Sequence, residues 1–237
     1  MNNAEISRLG SEALGTLFFV FLGASVVMNS GLTLPAAFGW AFALAVVVWV
    51  FGAAGAHFNP WVTVALALRN VINWVTAAGY IIAQLLGGLV GALLAWWLFS
   101  SALGDEAAAG AVTHTDATGA ELIGALAAEA LLTLLLVLVV LHLIDGGRWI
   151  YGLGYGLAYG LGVLAISQLT GASMNFARTF GAELSATIAD AGADWGNIWV
   201  YLVGPAIGVL LAWLLYPVLG GERAAARPVA TAGKRES

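Results

Sequence analysis

Cysteine is absent from this chain of 237 residues, which excludes disulfides, thiolate nucleophiles and thiolate metal sites. Charge is scarce: Asp, Glu, Lys and Arg make up 9% of the residues, against about a quarter in an ordinary soluble domain. The few basic residues form no patch before the C-terminal tail, so nucleic acid is not an expected partner. The polar start, Met1 to Gly10, runs into a full-length apolar segment with no small-residue cleavage site, and no secretory signal is expected.

What is present is apolar. Hydrophobic residues make up 61% of the chain and mean hydropathy is +0.94. Six apolar segments, near 11–30, 35–54, 75–101, 120–144, 149–169 and 195–219, reach the roughly 20 residues that a bilayer-spanning helix needs. They are continuous rather than alternating, as helices are and barrel strands are not. Two shorter apolar stretches, near 60–69 and 176–187, are too short to cross. They are expected to be re-entrant half-helices, which are tolerated at membrane depth where protein buries them or where they line a cavity. The expected fold is an all-α membrane protein with six transmembrane helices and two half-helices.

The chain repeats itself. Glu12-Ala13-Leu14-Gly15-Thr16 returns as Glu129-Ala130-Leu131-Leu132-Thr133, and Gly91-Ala92-Leu93-Leu94-Ala95-Trp96 returns as Gly208-Val209-Leu210-Leu211-Ala212-Trp213, both 117 positions on. His57-Phe58-Asn59-Pro60-Trp61 has its counterpart in Ser173-Met174-Asn175-Phe176-Ala177, with the asparagines 116 positions apart. A shared offset marks a tandem duplication, with repeat one over about 8–101 and repeat two over about 120–219. Each repeat holds an odd number of spans, so the second must run inverted relative to the first, and paired interrupted segments point to a transport site at the repeat interface. Residues 1–219 are therefore expected to be one channel domain, and the Ala-rich, basic tail 220–237 to be disordered.

Arg8, Arg69, Arg148, Arg223, Arg227, Lys234 and Arg235 all fall on one side of this topology. The loops on the other side carry Asp105, Glu106, Asp116, Asp190 and Asp194. The positive-inside pattern puts both termini in the cytoplasm. Arg178 is the exception. It lies at membrane depth in the second half-helix, where an ionisable group usually faces a pathway. Asn59 and Asn175 sit at the half-helix starts as natural N-caps, each expected to turn its NH₂ group into a lumen. The two positive dipole ends meet at one spot, where they repel cations, protons included.

Two other classes share some of these features. Gly171-Ala172-Ser173 has the look of an intramembrane serine protease motif, which needs a base in reach of the serine; His57, His114 and His142 are the only histidines, and Met174 follows the serine. A formate- or nitrite-type channel also has inverted repeats and broken helices, but accounts for neither the Asn-Pro pair nor Arg178.

These residues resemble the aquaporin and aquaglyceroporin family, the major intrinsic proteins, over about residues 8–219. Gly55-Ala56-His57-Phe58-Asn59-Pro60 with Thr63 matches the first pore motif; Thr170-Gly171, Asn175, Ala177-Arg178 and Phe180-Gly181 match the second. Tyr80, Ala83-Gln84 and Gly87 match the third helix. The resemblance implies that Glu12 and Glu129 hold loop backbone, with His57 a structural loop residue. It departs at Asn59-Pro60-Trp61, where the family has Ala for Trp, and at Asn175-Phe176-Ala177, where it has Pro for Phe. Trp61 and Phe176 must turn sideways into helices or crowd the pore.

The family's outer constriction maps onto Arg178, Ala172, Val163 and one residue of the second span. Gly39, Trp40 and Phe38 compete for that last place, because Gly52-Ala53-Ala54-Gly55 looks one residue short; Trp40 is preferred. Trp, Val, Ala and Arg together resemble the plant nodulin-26-like set. The resemblance implies a passive channel for water and small uncharged solutes, glycerol-like polyols favoured, without catalysis, cofactor or metal. It also implies a homotetramer in the plasma membrane with one pore per subunit. A strictly water-selective or closed channel, narrowed by Trp61 and Phe176, is the alternative. Glycines at 152/156/160, 87/91 and 204/208 are expected to serve helix packing, and Trp74, Trp149 and Trp195 to sit at interfaces. Glu183 is expected at the outer vestibule.

Overall fold

The computed structural model describes residues 3–52, 55–104, 115 and 117–220. His114, the acidic residues Asp105, Glu106 and Asp116, the pair Ala53–Ala54 and the tail from 221 onward lie outside the described residues. All regular structure described is helical: α1 (Asn3–Ser30), α2 (Thr33–Phe51), α3 (Pro60–Leu68), α4 (Trp74–Leu103), α5 (Ala120–Leu143), α6 (Arg148–Thr170), α7 (Phe176–Ile188) and α8 (Val200–Val218). Six of these are long and apolar enough to cross a membrane, and α3 and α7 are the two short ones. Helix α1 starts at Asn3, well before its apolar run, with Glu5 in its first turn, where a carboxylate suits the positive helix end. Helix α8 starts at Val200, later than its apolar stretch suggests, because residues 196–199 form turns.

The half-helices start where local chemistry makes them start. Asn59 is extended (φ −157°, ψ 122°) and its side chain accepts from the Trp61 N–H at 2.9 Å. Pro60 follows at the first helical position, where its missing N–H costs nothing. Asn175 repeats the geometry (φ −148°, ψ 102°), accepting from the Ala177 N–H at 3.0 Å and the Arg178 N–H at 3.4 Å. Phe176 stands where Pro could, and its N–H needs no intrahelical partner there.

The long helices pair through glycine. A Cβ on Gly87 would lie 2.2 Å from the Ala13 carbonyl oxygen, and one on Gly208 would lie 2.3 Å from that of Ala130. Thus α1 packs on α4, and α5 on α8, in the same manner in both repeats. Helix α2 packs on α6, where a Cβ on Gly156 would sit 2.4 Å from the Ala41 oxygen. The half-helices cross over: α3 rests against α8, and α7 against α4 through Gly181 and Gly88. Each repeat thus seats the half-helix of the other. Phe38, Phe42, Leu153, Leu157 and Leu161 point outward, as a lipid-facing surface requires. Trp74, Trp149 and Trp195 are exposed.

Candidate functional site

Two buried carboxylates build the site from below. Glu12 on α1 accepts from the His57 N–H at 2.9 Å, the Phe58 N–H at 2.7 Å and the Gln84 amide at 2.7 Å. Glu129 on α5 accepts from the Ser173 N–H at 2.9 Å, the Met174 N–H at 2.9 Å and the Thr170 hydroxyl at 2.7 Å. These bonds hold loop backbone that would not adopt its shape unaided. Ala56, Phe58, Ala172 and Met174 all have positive φ, between 49° and 62°, and for non-glycine residues such conformations cost about 1–3 kcal/mol each. The His57 ring contacts the Thr63 hydroxyl at 3.1 Å, and that hydroxyl also accepts from Gln84 at 2.9 Å and donates to the Asn59 carbonyl at 3.0 Å.

The two asparagines meet in the middle. The Asn59 amide donates to the Met174 carbonyl at 2.8 Å, and the Asn175 amide donates to the Phe58 carbonyl at 2.8 Å. The expectation that the whole NH₂ group points into a lumen needs correction. One N–H of each amide is committed across the pseudo-two-fold, which locks the two N-termini together and leaves one N–H apiece. Pro60 and Ala177 are buried beside them.

Trp61 and Phe176 turn away from this crossing. Trp61 is half-buried and its indole donates to the Tyr201 carbonyl at 3.2 Å. Phe176 is half-buried with its ring 6.1 Å from that of Phe180, which in turn meets Trp195 edge-on. Of the three candidates on α2, Phe38 is 51% exposed on the outer face and Gly39 packs on Val26. Trp40 faces inward, 1% exposed, and the Arg178 guanidinium lies 4.2 Å above its ring, a stacked cation–π arrangement.

Arg178 is 4% exposed. It donates to the carbonyls of Ala172 and Gly171, the latter at 2.9 Å, and to the Tyr159 hydroxyl at 3.4 Å. Trp40, Val163 and Ala172 belong to one packed cluster. Among the described residues the Arg178 Nε and the Trp40 indole N–H have no hydrogen-bond partner.

Phe19 and Tyr159 join this cluster, with Tyr159 edge-on to Phe19 at 5.1 Å and 6.1 Å from Trp40. The sequence reading missed Tyr159 and its neighbours. The signal was present in the four-residue recurrence Tyr151, Tyr155, Tyr159, each followed by the glycine that was noticed.

Among the described residues no histidine stands beside Ser173 as a serine protease would need. The Ser173 hydroxyl meets the Thr179 hydroxyl and the Asn175 carbonyl, whereas His57 faces Thr63 and His142 contacts the Leu138 carbonyl. Glu183 is buried rather than open to a vestibule, accepting from the Asp194 N–H at 2.8 Å.

Known proteins share this arrangement. A model of the family described as major intrinsic protein matches residues 2–216. The chain is 37% identical over 219 residues to the glycerol uptake facilitator protein-like 6 of Lactiplantibacillus plantarum, covering 90% of this chain and 97% of that protein. It is 33% identical over 236 residues to a glycerol uptake facilitator protein of Streptococcus pneumoniae, covering 89% and 98%. The X-ray structure of the aquaglyceroporin from Plasmodium falciparum aligns with a TM-score of 0.79 at 26% identity, covering 91% of this chain and 99% of that one. With this match along almost its whole length, and a fold of six spans and two crossing half-helices, the chain belongs to the major intrinsic protein family and is a multi-pass membrane protein.

Proposed function

We propose that the protein is a passive channel for water and small uncharged solutes, with glycerol-like polyols favoured. The observation that supports this most is the reciprocal pair of asparagine bonds. It fixes two half-helix N-termini against each other, so that two positive dipole ends and two residual amide N–H groups share one place. Such a place repels a cation and offers donors to the oxygen of a neutral solute.

Trp40, Val163, Ala172 and Arg178 form the selecting ring in this reading. The guanidinium is rigid, since two loop carbonyls hold it. Its Nε and the indole N–H of Trp40 are buried without a protein partner among the described residues, two donors that the hydroxyl oxygen of a solute entering the ring would satisfy. The facilitator names of the two bacterial relatives agree with that choice of solute. Glu12, Glu129 and His57 hold the loops. We further propose that residues 1–219 form one channel domain of two repeats, about 8–101 and 120–219. We also propose that both termini lie in the cytoplasm, a reading that the one-sided basic residues support, and that the protein is a plasma-membrane homotetramer with one path per subunit.

Stopped-flow light scattering on proteoliposomes tests this. Water and glycerol fluxes above those of empty liposomes are expected. Fast water without glycerol would reject the polyol assignment, and no flux of either would reject an open channel.

A further inference from the structure

The carbonyls of the two loops are taken up one after another by side chains. Ala56 accepts from Tyr151 at 2.8 Å, His57 from Tyr155 at 2.9 Å and Phe58 from Asn175 at 2.8 Å. On the other loop Met174 accepts from Asn59 at 2.8 Å and Ser173 from Tyr159 at 2.6 Å. Ala172 and Gly171 accept from Arg178, and Thr170 from Tyr201 at 2.7 Å. Three of these donors stand one turn apart on a single face of α6. Their spacing of about 6 Å per step spreads the phenols over about 12 Å along the helix.

This face passes the asparagine crossing, with Tyr151 and Tyr155 on the first loop and Tyr159 on the second, beside Arg178. Arg178 donates to the Tyr159 hydroxyl at 3.4 Å. Tyr151 and Tyr155 stack with ring centroids 5.5 Å apart. All three rings are buried, and so are Asn59 (0% exposed) and Asn175 (1% exposed). The asparagines touch almost no water-sized space, and the three phenols hold the loops that carry them.

We propose that Tyr151, Tyr155 and Tyr159 set the bore and conductance of the path on the two sides of the asparagine crossing, with Tyr159 on the side of Arg178. The inference rests on the channel reading and names the specificity element within it. On this proposal the phenol rings stand in the path. Their hydroxyls sit on carbonyls that a permeating hydroxyl would otherwise use. A solute carrying its own O–H replaces the phenol on the carbonyl, so that only about one net hydrogen bond, that of the displaced phenol, is lost on the way. A solute without a donor leaves a buried carbonyl unsatisfied. The ladder therefore favours water and polyols over donor-free molecules of equal size.

The test uses purified full-length protein in proteoliposomes. Tyr155→Phe keeps the ring and releases the His57 carbonyl, while Tyr155→Ala removes the ring as well. Water flux is expected to rise about five- to tenfold over the parent in Tyr155→Phe, the factor that one net hydrogen bond in the barrier corresponds to. It should rise further in Tyr155→Ala, with glycerol rising in parallel.

Because the chain has no cysteine, Tyr155→Cys supplies a single thiol. Its flux should exceed that of the parent and then fall when a small methanethiosulfonate reagent is added. A conducting parent with all three variants at the parental rate overturns the proposal and leaves the channel reading standing. No flux from the parent or any variant overturns both. A parent at liposome background whose variants conduct supports this proposal and rejects a channel that is open in the parent.

Discussion

Replacing Glu129 with Gln changes little in shape and much in hydrogen bonding. The carboxylate is fully buried. Its Oε1 accepts from the Ser173 N–H and the Thr170 hydroxyl, and its Oε2 from the Met174 N–H. A Gln oxygen can take over the first pair, but its NH₂ group then faces the Met174 N–H, donor against donor. One buried N–H is left unsatisfied, which costs about 1–3 kcal/mol. Glu129→Ala strips all three donors, and with partial relaxation costs about 3–6 kcal/mol.

The damage spreads, because the Met174 carbonyl is the acceptor for Asn59, so a loosened Met174 loosens the asparagine crossing. The assay is the fraction of monodisperse protein remaining after heating in detergent, read alongside water flux in liposomes. The expected order of midpoints is parent, then Gln, then Ala, with flux falling in the same order. A Gln variant as stable as the parent, or an Ala variant equal to Gln, would refute the idea that this carboxylate holds the loop through separate bonds.

Other expectations follow from the same geometry. Arg178→Ala removes the anchors on Gly171 and Ala172 and the stack on Trp40; it should keep the fold yet admit larger or charged solutes, and an unchanged solute profile in stopped-flow would exclude Arg178 as the selector. Gly156→Leu drives side-chain atoms into the Ala41 carbonyl and should destabilise by about 1–3 kcal/mol. Gly124→Ala, with nothing within 4 Å of the new Cβ, should be neutral or slightly stabilising as a better helix former; heating in detergent compares the two. Asn175→Ala loses both N-cap bonds and the bond to Phe58, so it should lower stability by about 1–2 kcal/mol and raise cation leak, measured with a pH-sensitive dye inside liposomes.

Much of the architecture was legible because it depends on local composition. A span announces itself by its apolar length, and the half-helices by Asn-Pro or Asn before a run too short to cross. The caps at Asn59 and Asn175 are contacts within three residues of chain, so the motif contains its own partners. The duplication is visible because α1 and α5 keep the same glutamate at the same place. Trp40 could be preferred over Phe38 and Gly39 only through resemblance; its stack on Arg178 is a contact between residues far apart in sequence.

The aromatic residues divide along the same line. Trp61 and Phe176 were suspected of crowding the path because they replace smaller family residues. Rotamer choice is set by neighbours, however: the Tyr201 carbonyl for Trp61 and Phe180 for Phe176. The tyrosines of α6 recur with a period of four in the sequence, yet the carbonyls of Ala56 and His57 that Tyr151 and Tyr155 hold lie 95 and 98 residues away.

By itself, then, the sequence determined that this is a membrane-embedded, duplicated, helical channel protein. Hydropathy, helix length and capping act within a few residues and need no neighbour. Only the tertiary structure decided which side chains line the crossing and which turn aside. Each loop carbonyl must find its donor in three dimensions, and most of those donors come from another helix.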